Sequence, residues 1–328
     1  MNTTTMWQLQ LDAPRTPVWR EAAVPVPGED EVLVRVLGVT TCPHWELHMF
    51  DGVPMHSGHE IRYPLPAGHP GHEAMGEVAG LGPGVTEFAV GDRVVAWRSN
   101  LHASDGFYRQ FNAYPAELLL KIPRELTPAA VASLELAMCV ESSFAQLATV
   151  GGVAGRRVGV AGLGPGGLVA VQLARAHGAK AVVGIDPVAA RRALALKLGA
   201  DDAVAPDSES WPASRDDAKA IDMAMDCTGR SEAVEFLLAR TRIAVALFGV
   251  LREPVRYSPE LMWGPGVSLL GYGDHTRAHG EAALGFVAAG KLRLDVLVTC
   301  TMPMRRYADA VEMLRRHDAI KVLLDPWG

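Results

Sequence analysis

Hydrophobic positions along the chain change their spacing partway. Up to about residue 125 they come in short runs. The segment VLVRVL at 32–37 alternates, and 74–80, 93–97 and 118–122 are apolar stretches between turn signals such as Gly82-Pro83-Gly84 and Gly91-Asp92. This stretch predicts a mostly-β unit. Between residues 128 and 150 lies a long run rich in alanine and leucine, which predicts a helix. Beyond it the two patterns alternate. Strands are predicted at 157–162, 181–186, 222–227, 243–249 and 268–272, and helices at 166–177, 189–198 and 231–238. Such alternation predicts an α/β fold with a doubly wound parallel sheet, helices on both faces and ligands at the carboxyl ends of the strands. A last helix-then-strand pair, 306–316 and 320–324, has no obvious partner in that sheet.

The segment VGVAGLGPGG at 158–167 carries the most specific chemistry. Gly162, Gly164 and Gly167 fit G-x-G-x-x-G between a predicted strand and a predicted helix, and Asp186 closes the next strand. The first glycine permits a tight turn, the second lets backbone approach a pyrophosphate, and the third lets helix pack on sheet, with the helix N-terminus facing the phosphates. Asp186 would accept hydrogen bonds from the adenosine ribose and repel a 2′-phosphate, which favours NAD over NADP. Arg191 and Arg192 follow it and could approach such a phosphate.

Bulk properties narrow the remaining classes. At 328 residues there is room for two domains. The chain is 49% hydrophobic and 21% charged, and its formal net charge of −6 gives no electrostatic footprint for nucleic acid or an anionic membrane. No apolar run is long enough to span a bilayer. The first residues, MNTTTMWQ, lack the basic and apolar regions of a signal peptide. The cysteines, Cys42, Cys139, Cys227 and Cys300, are too widely spaced for a disulfide framework, so a cytoplasmic location with free thiols is expected.

Ahead of the glycine fingerprint stands AGHPGHEAMGEV at 67–78, followed by GVT at 84–86 and GDRV at 91–94. From EDEV at 29–32 to IKVLLDP at 320–326, the chain resembles the medium-chain dehydrogenase/reductase superfamily, in its zinc-dependent alcohol dehydrogenase-like branch. The resemblance implies a partly barrel-like (GroES-like) catalytic domain over 1–139, to which 271–328 returns, and an NAD-binding Rossmann domain over 140–270. It further implies one catalytic zinc with an open coordination position. His72 matches the family's histidine ligand, Glu73 the neighbouring supporting carboxylate, and Cys42 the cysteine ligand. The third ligand is expected on the helix before the fingerprint, where Cys139 is the first candidate and Glu135 its rival, four apart and able to share a face. The cysteine cluster of a structural zinc lobe is missing, since AWRSNLHAS at 96–104 contains none.

The family's proton-relay hydroxyl is also missing. TCPHWELH at 41–48 is one residue longer than the usual motif, Trp45 falls at the hydroxyl position, and Glu46 replaces an aspartate. His44 or His48 would then move the proton, work that suits an imidazole. The resemblance also places Ser143, Phe248 and Val250 beside the nicotinamide, and Lys321 within reach of the pyrophosphate. Trp45, Met49, Phe50, Met55 and Trp97 lie in segments the family uses for substrate, which hints at an apolar one. The expected reaction is hydride transfer between NAD and a small alcohol or carbonyl compound, in a homodimer or homotetramer. The alternatives are a zinc-free, NADPH-dependent C=C or quinone reductase, and a nucleotide-binding protein without turnover.

Overall fold

The computed structural model describes residues 4–56, 58–99, 106–263 and 266–328. The chain divides into two compact units, Met1–Leu136 with Leu294–Gly328, and Ala137–Arg293.

The first unit opens with an antiparallel hairpin, β1 (Thr5–Ala13) and β2 (Thr16–Ala23). β3 (Glu31–Thr40) follows, with Val32, Val34 and Val36 buried at alternate positions as a pleated strand requires. Helix α1 (Pro43–Asp51) comes next, inside the stretch read from sequence as mostly β. Its boundaries have local causes. Pro43 has the fixed φ and missing N–H suited to a first helical turn, and Gly52 ends the helix with φ 72°, its N–H returning to the His48 carbonyl. Strands β4 (Glu73–Leu81), β5 (Arg93–Ala96), β6 (Phe111–Pro115) and β7 (Leu119–Ile122) complete the N-terminal part. The expected long helix is two: α2 (Pro128–Val131) and α3 (Leu134–Ala148), broken around Ser133, whose hydroxyl lies 2.8 Å from that of Thr40.

The second unit holds β8 (Arg157–Ala161), α4 (Pro165–Ala176), β9 (Ala181–Ile185), α5 (Ala189–Lys197), β10 (Asp202–Val204), β11 (Ile221–Asp226), α6 (Ser231–Leu238), β12 (Thr241–Leu247), β13 (Ser268–Leu270) and α7 (Arg277–Ala288). Its six strands are parallel, in the order β10-β9-β8-β11-β12-β13. The winding direction reverses between β8 and β11, the position at which such sheets open a crevice for ligands. Val183, Ile185, Ile221, Ala224 and Val245 form part of the core, as expected of strands covered on both faces.

The return to the first unit begins at Leu294 and not at residue 271, which corrects the boundary expected from sequence. Polar contacts hold the intervening segment to the second unit. Ser142 Oγ donates to the carbonyls of Tyr272 (3.3 Å) and Asp274 (3.0 Å). The Gln172 side chain both accepts from Arg293 N (2.8 Å) and donates to Arg293 O (3.3 Å). After that β14 (Val298–Pro303), α8 (Tyr307–Arg315) and β15 (Lys321–Asp325) form a parallel pair with its crossover helix. β15 pairs antiparallel with β3, giving the sheet order β14-β15-β3-β4-β5-β7, with β6 also on β3. No helix among the described residues is long and apolar enough to cross a membrane.

α8 is clamped to α1 by Arg315, whose Nη1 and Nη2 meet Asp51 Oδ2 and Oδ1 at 2.7 and 2.9 Å. These hydrogen bonds, outweighing partial burial and helped by Arg15, hold the Asp51 carboxyl below its ordinary range. A depressed folded-state pKa stabilises above the unfolded value and is lost as pH falls through the folded one. Asp51→Asn is therefore expected to cost about 1 kcal/mol at neutral pH. The difference from wild type should vanish in acid below the carboxylate range, as urea unfolding at several pH values would show.

Candidate functional site

One metal-competent group forms in the first unit. Cys42, at the N-cap of α1, and His72 and Glu73, at the entry to β4, bring one ligand atom each within 4.8 Å of one another. His72 is buried and its Nδ1 donates to the Pro70 carbonyl at 2.8 Å, which leaves Nε2 as the inward nitrogen. Glu135, at the start of α3, places Oε2 3.8 Å from that Nε2. Burial works against a charged His72, but its hydrogen bond with Cys42 and attraction from Glu135, Cys42 and Glu73 prevail, and its pKa is pushed up to about 10. A metal ion taken up at Nε2 thus displaces a proton. Sulfur, imidazole and carboxylate together suit zinc better than a hard cation, so the donor set fits that ion.

Glu73 is tied down on its far side. Lys321 Nζ, fully buried, donates to Glu73 Oε1 (2.5 Å), Glu73 Oε2 (2.6 Å) and the Thr41 carbonyl (2.8 Å). Thr40 Oγ1 adds a bond to Oε2 at 3.0 Å. All three protons of the ammonium are engaged inside the first unit, so the expected reach of Lys321 to a pyrophosphate is corrected to an internal ion pair with Glu73. Glu46 is also fully buried, and accepts from the hydroxyls of Tyr108 and of Tyr307, the latter at 2.6 Å. Burial raises its pKa against the pull of both tyrosines and of His72. Neither tyrosine was singled out from sequence, because the pairing is long-range and no motif marks it.

The two relay candidates stand one turn apart on α1, ring centroids 4.7 Å from each other. His48 is buried and donates from Nδ1 to the Val53 carbonyl at 2.8 Å, which puts its basic lone pair on Nε2. Trp45 is half-buried and edge-on to His72, centroids 5.7 Å apart. Met49, Phe50 and Met55 are buried in the core cluster of the first unit, and Trp97 is buried with its indole N–H on the Glu117 carbonyl, so these four build the interior. Segment 96–104 lies partly outside the described residues.

In the second unit the fingerprint forms the turn from β8 into α4. Gly162 adopts φ 84°, and a Cβ on Gly167 would lie 1.8 Å from the Gly162 carbonyl oxygen, so helix and strand meet at a distance that excludes any side chain. A Cβ on Gly164 would meet nothing within 4 Å, which leaves that backbone open to a ligand. Asp186 is buried beside the turn, its carboxylate accepting from Leu163 N and Val188 N at 2.7 Å each, with Arg191 Nη1 at 3.8 Å. Ser143 Oγ is buried and has no hydrogen-bond partner among the described residues, a hydroxyl suited to a ligand's polar group. Phe248 lies over Gly166 and 5.9 Å from the Tyr272 ring, while Val250 is partly exposed. These features fit a dinucleotide. Cys139 lies on α3 with its thiol 3.8 Å from His275 Nε2, which also meets the Tyr272 hydroxyl at 2.5 Å.

Comparison with known proteins gives the family. Residues 28–124 match the alcohol dehydrogenase GroES-like domain, and residues 165–288 match the zinc-binding dehydrogenase family. L-threonine 3-dehydrogenase of Pyrococcus horikoshii is 28% identical over 92% of this chain and 93% of its own. Sorbitol dehydrogenase of Halalkalibacterium halodurans is 26% identical over 94% and 95%. Among solved structures, a Sinorhizobium meliloti 1021 protein bound to NADP superposes with a TM-score of 0.84 at 24% identity, covering 99% of this chain and 100% of that one. An Escherichia coli CFT073 short chain alcohol dehydrogenase complexed with NADH has the same fold, with a TM-score of 0.84 at 20% identity and 98% and 100% coverage. The chain is an oxidoreductase belonging to the zinc-dependent alcohol dehydrogenase-like branch of the medium-chain dehydrogenase/reductase superfamily.

Proposed function

We propose that this protein is an NAD-linked dehydrogenase with one catalytic zinc, acting on a small hydroxylated substrate or its carbonyl counterpart. The observation that carries the reading is the convergence of Cys42, His72 and Glu73, with Glu135 3.8 Å from His72. When bound, the zinc supplies Lewis-acid polarisation of the substrate oxygen and the nicotinamide supplies or accepts hydride. Cys42 and His72 hold the metal, and α3 supplies the third donor. Glu135 is favoured by its place beside His72, with Cys139 as the alternative. Glu73, held by Lys321 and Thr40, keeps a fixed negative charge behind His72. Both relatives cited act on small hydroxylated molecules, and Trp45 adds one apolar wall beside His72. The first test is zinc analysis together with NAD-dependent oxidation of a panel including L-threonine, sorbitol, 2,3-butanediol and benzyl alcohol. Protein purified without chelator and containing no zinc would move the reading to the zinc-free reductase. The assembly is proposed to be a homodimer or homotetramer, to be measured by light scattering.

His48 is proposed to carry the alcohol proton through Nε2. His48→Ala is expected to lower kcat by about 10- to 100-fold, with partial rescue by added imidazole. A larger loss in His44→Ala would assign the relay to His44.

Asp186 is proposed to select NAD, since its buried carboxylate opposes a 2′-phosphate. The expected preference in kcat/KM for NAD over NADP is about tenfold or more, and Asp186→Ser should narrow it. A wild-type preference for NADP would show that Arg191 and Arg192 dominate instead.

A further inference from the structure

We propose that Asp226 is a positioning residue for the nicotinamide half of the bound dinucleotide, acting through two turns that it ties together. The inference rests on the oxidoreductase reading above. Asp226 is the last residue of β11 and is fully buried. Every acceptor it has is directed at one of two neighbouring turns. Its Oδ1 accepts from Thr228 N (3.1 Å) and Thr228 Oγ1 (2.6 Å), and Oδ2 accepts from Gly229 N (3.0 Å). Its main-chain carbonyl accepts from Phe248 N and Gly249 N, both at 2.9 Å, where β12 ends.

The turns are in contact. A Cβ on Gly249 would lie 2.1 Å from Gly229 N, and one on Gly229 would lie 2.5 Å from the Val250 carbonyl oxygen. The first turn also abuts the fingerprint, since a Cβ on Gly162 would lie 2.7 Å from Thr228 Cγ2. Strand order then sets the direction. Asp186 follows β9 on one side of β8, while β11 and β12 lie on the other. A dinucleotide whose pyrophosphate sits on the β8 turn and whose adenosine reaches Asp186 extends its second half over the ends of β11 and β12.

The charge on Asp226 is costly to keep. Among the described residues no cation pairs with it, and burial raises its pKa against the pull of Thr228 and Gly229. A buried carboxylate held only by N–H and O–H dipoles is expensive relative to a neutral residue. Its acceptor-only character is what the three converging donors require.

The test is binding of NADH and of ADP-ribose, which lacks the nicotinamide, to wild type, Asp226→Asn and Thr228→Val. Asparagine turns one acceptor into a donor facing a donor, and valine, with little change of shape, removes the hydroxyl that donates to Asp226 and accepts from Arg230 N (3.0 Å). The expected result is a rise in NADH Kd of about tenfold or more for D226N and about threefold for T228V. ADP-ribose Kd should stay within about twofold and zinc content should be unchanged, which a general loss of structure would not permit. Proportional weakening of both ligands, or unchanged NADH binding, overturns the inference. If D226N does not fold, T228V decides alone by the same criteria. Wild-type protein that binds neither ligand would overturn the dehydrogenase reading as well.

Discussion

Alanine in place of His72 is expected to reduce zinc from about one per chain to near zero and kcat/KM by about 10³-fold or more. A loss of that size is on the order of 4 kcal/mol of transition-state stabilisation, within what a Lewis acid contributes at an oxygen that gains negative charge. The effect should be large because the ring is already committed in orientation. Its Nδ1–H is fixed on Pro70, so Nε2 faces Cys42 and Glu135 without further ordering. The fold should survive, since the substitution lies at the edge of β4 and removes a group that burial penalises. Companion measurements on Glu135→Ala and Cys139→Ala identify the third donor, because only the true ligand loses zinc. A His72→Ala protein with full zinc and activity would remove the basis of the proposed function.

The second large effect concerns stability. Lys321 and Glu73 are both without side-chain exposure and are joined by bonds of 2.5 and 2.6 Å. Lys321→Met leaves the Glu73 carboxylate buried with only Thr40 to satisfy it. Breaking such a pair costs about 3–5 kcal/mol, mainly as the penalty of the charge left behind. The expected fall in Tm is on the order of 10 °C. Adding Glu73→Gln to Lys321→Met should recover most of the loss, because the uncompensated charge then disappears. Thermal or urea unfolding of both single variants and the double variant gives the coupling directly. A cost below about 1 kcal/mol in Lys321→Met would show that the pair contributes little to holding the fold.

What could be read from sequence divides by the range over which each signal acts. The second unit was legible because its cues are local: apolar runs of strand length, amphipathic runs of helix length, glycines at fixed offsets and Asp186 at a strand end. Cys42 and His72 could be identified as ligand candidates by their motifs, and the structure brings them together. Helix α1 was missed although Pro43 and Gly52 bracket it, because the polar and histidine-rich stretch between them has no clear apolar period. Ser133 interrupts an otherwise continuous helical pattern, and its partner, Thr40, is distant in sequence. The partners of Glu46 and Lys321 were not legible either. Tyr108, Tyr307 and Glu73 are brought to them only by tertiary packing, and no spacing rule connects positions that far apart. Lys321 shows the cost of reasoning by likeness alone, since a basic residue in a matching segment was given the wrong partner.

The sheet that carries the metal group takes its strands from both ends of the chain. Lys321 and Thr41 are 280 positions apart, yet their contact lies directly behind His72 and Glu73. The second unit is continuous in sequence and has every strand of its sheet once Arg293 has been made. On a ribosome it can therefore fold while the first unit still lacks β14 and β15. Until those strands arrive, β3 has an open edge at Val39 and Thr40 and Glu73 lacks its lysine partner. The support behind His72 and Glu73 is thus completed late in synthesis, after the second unit can already be in place.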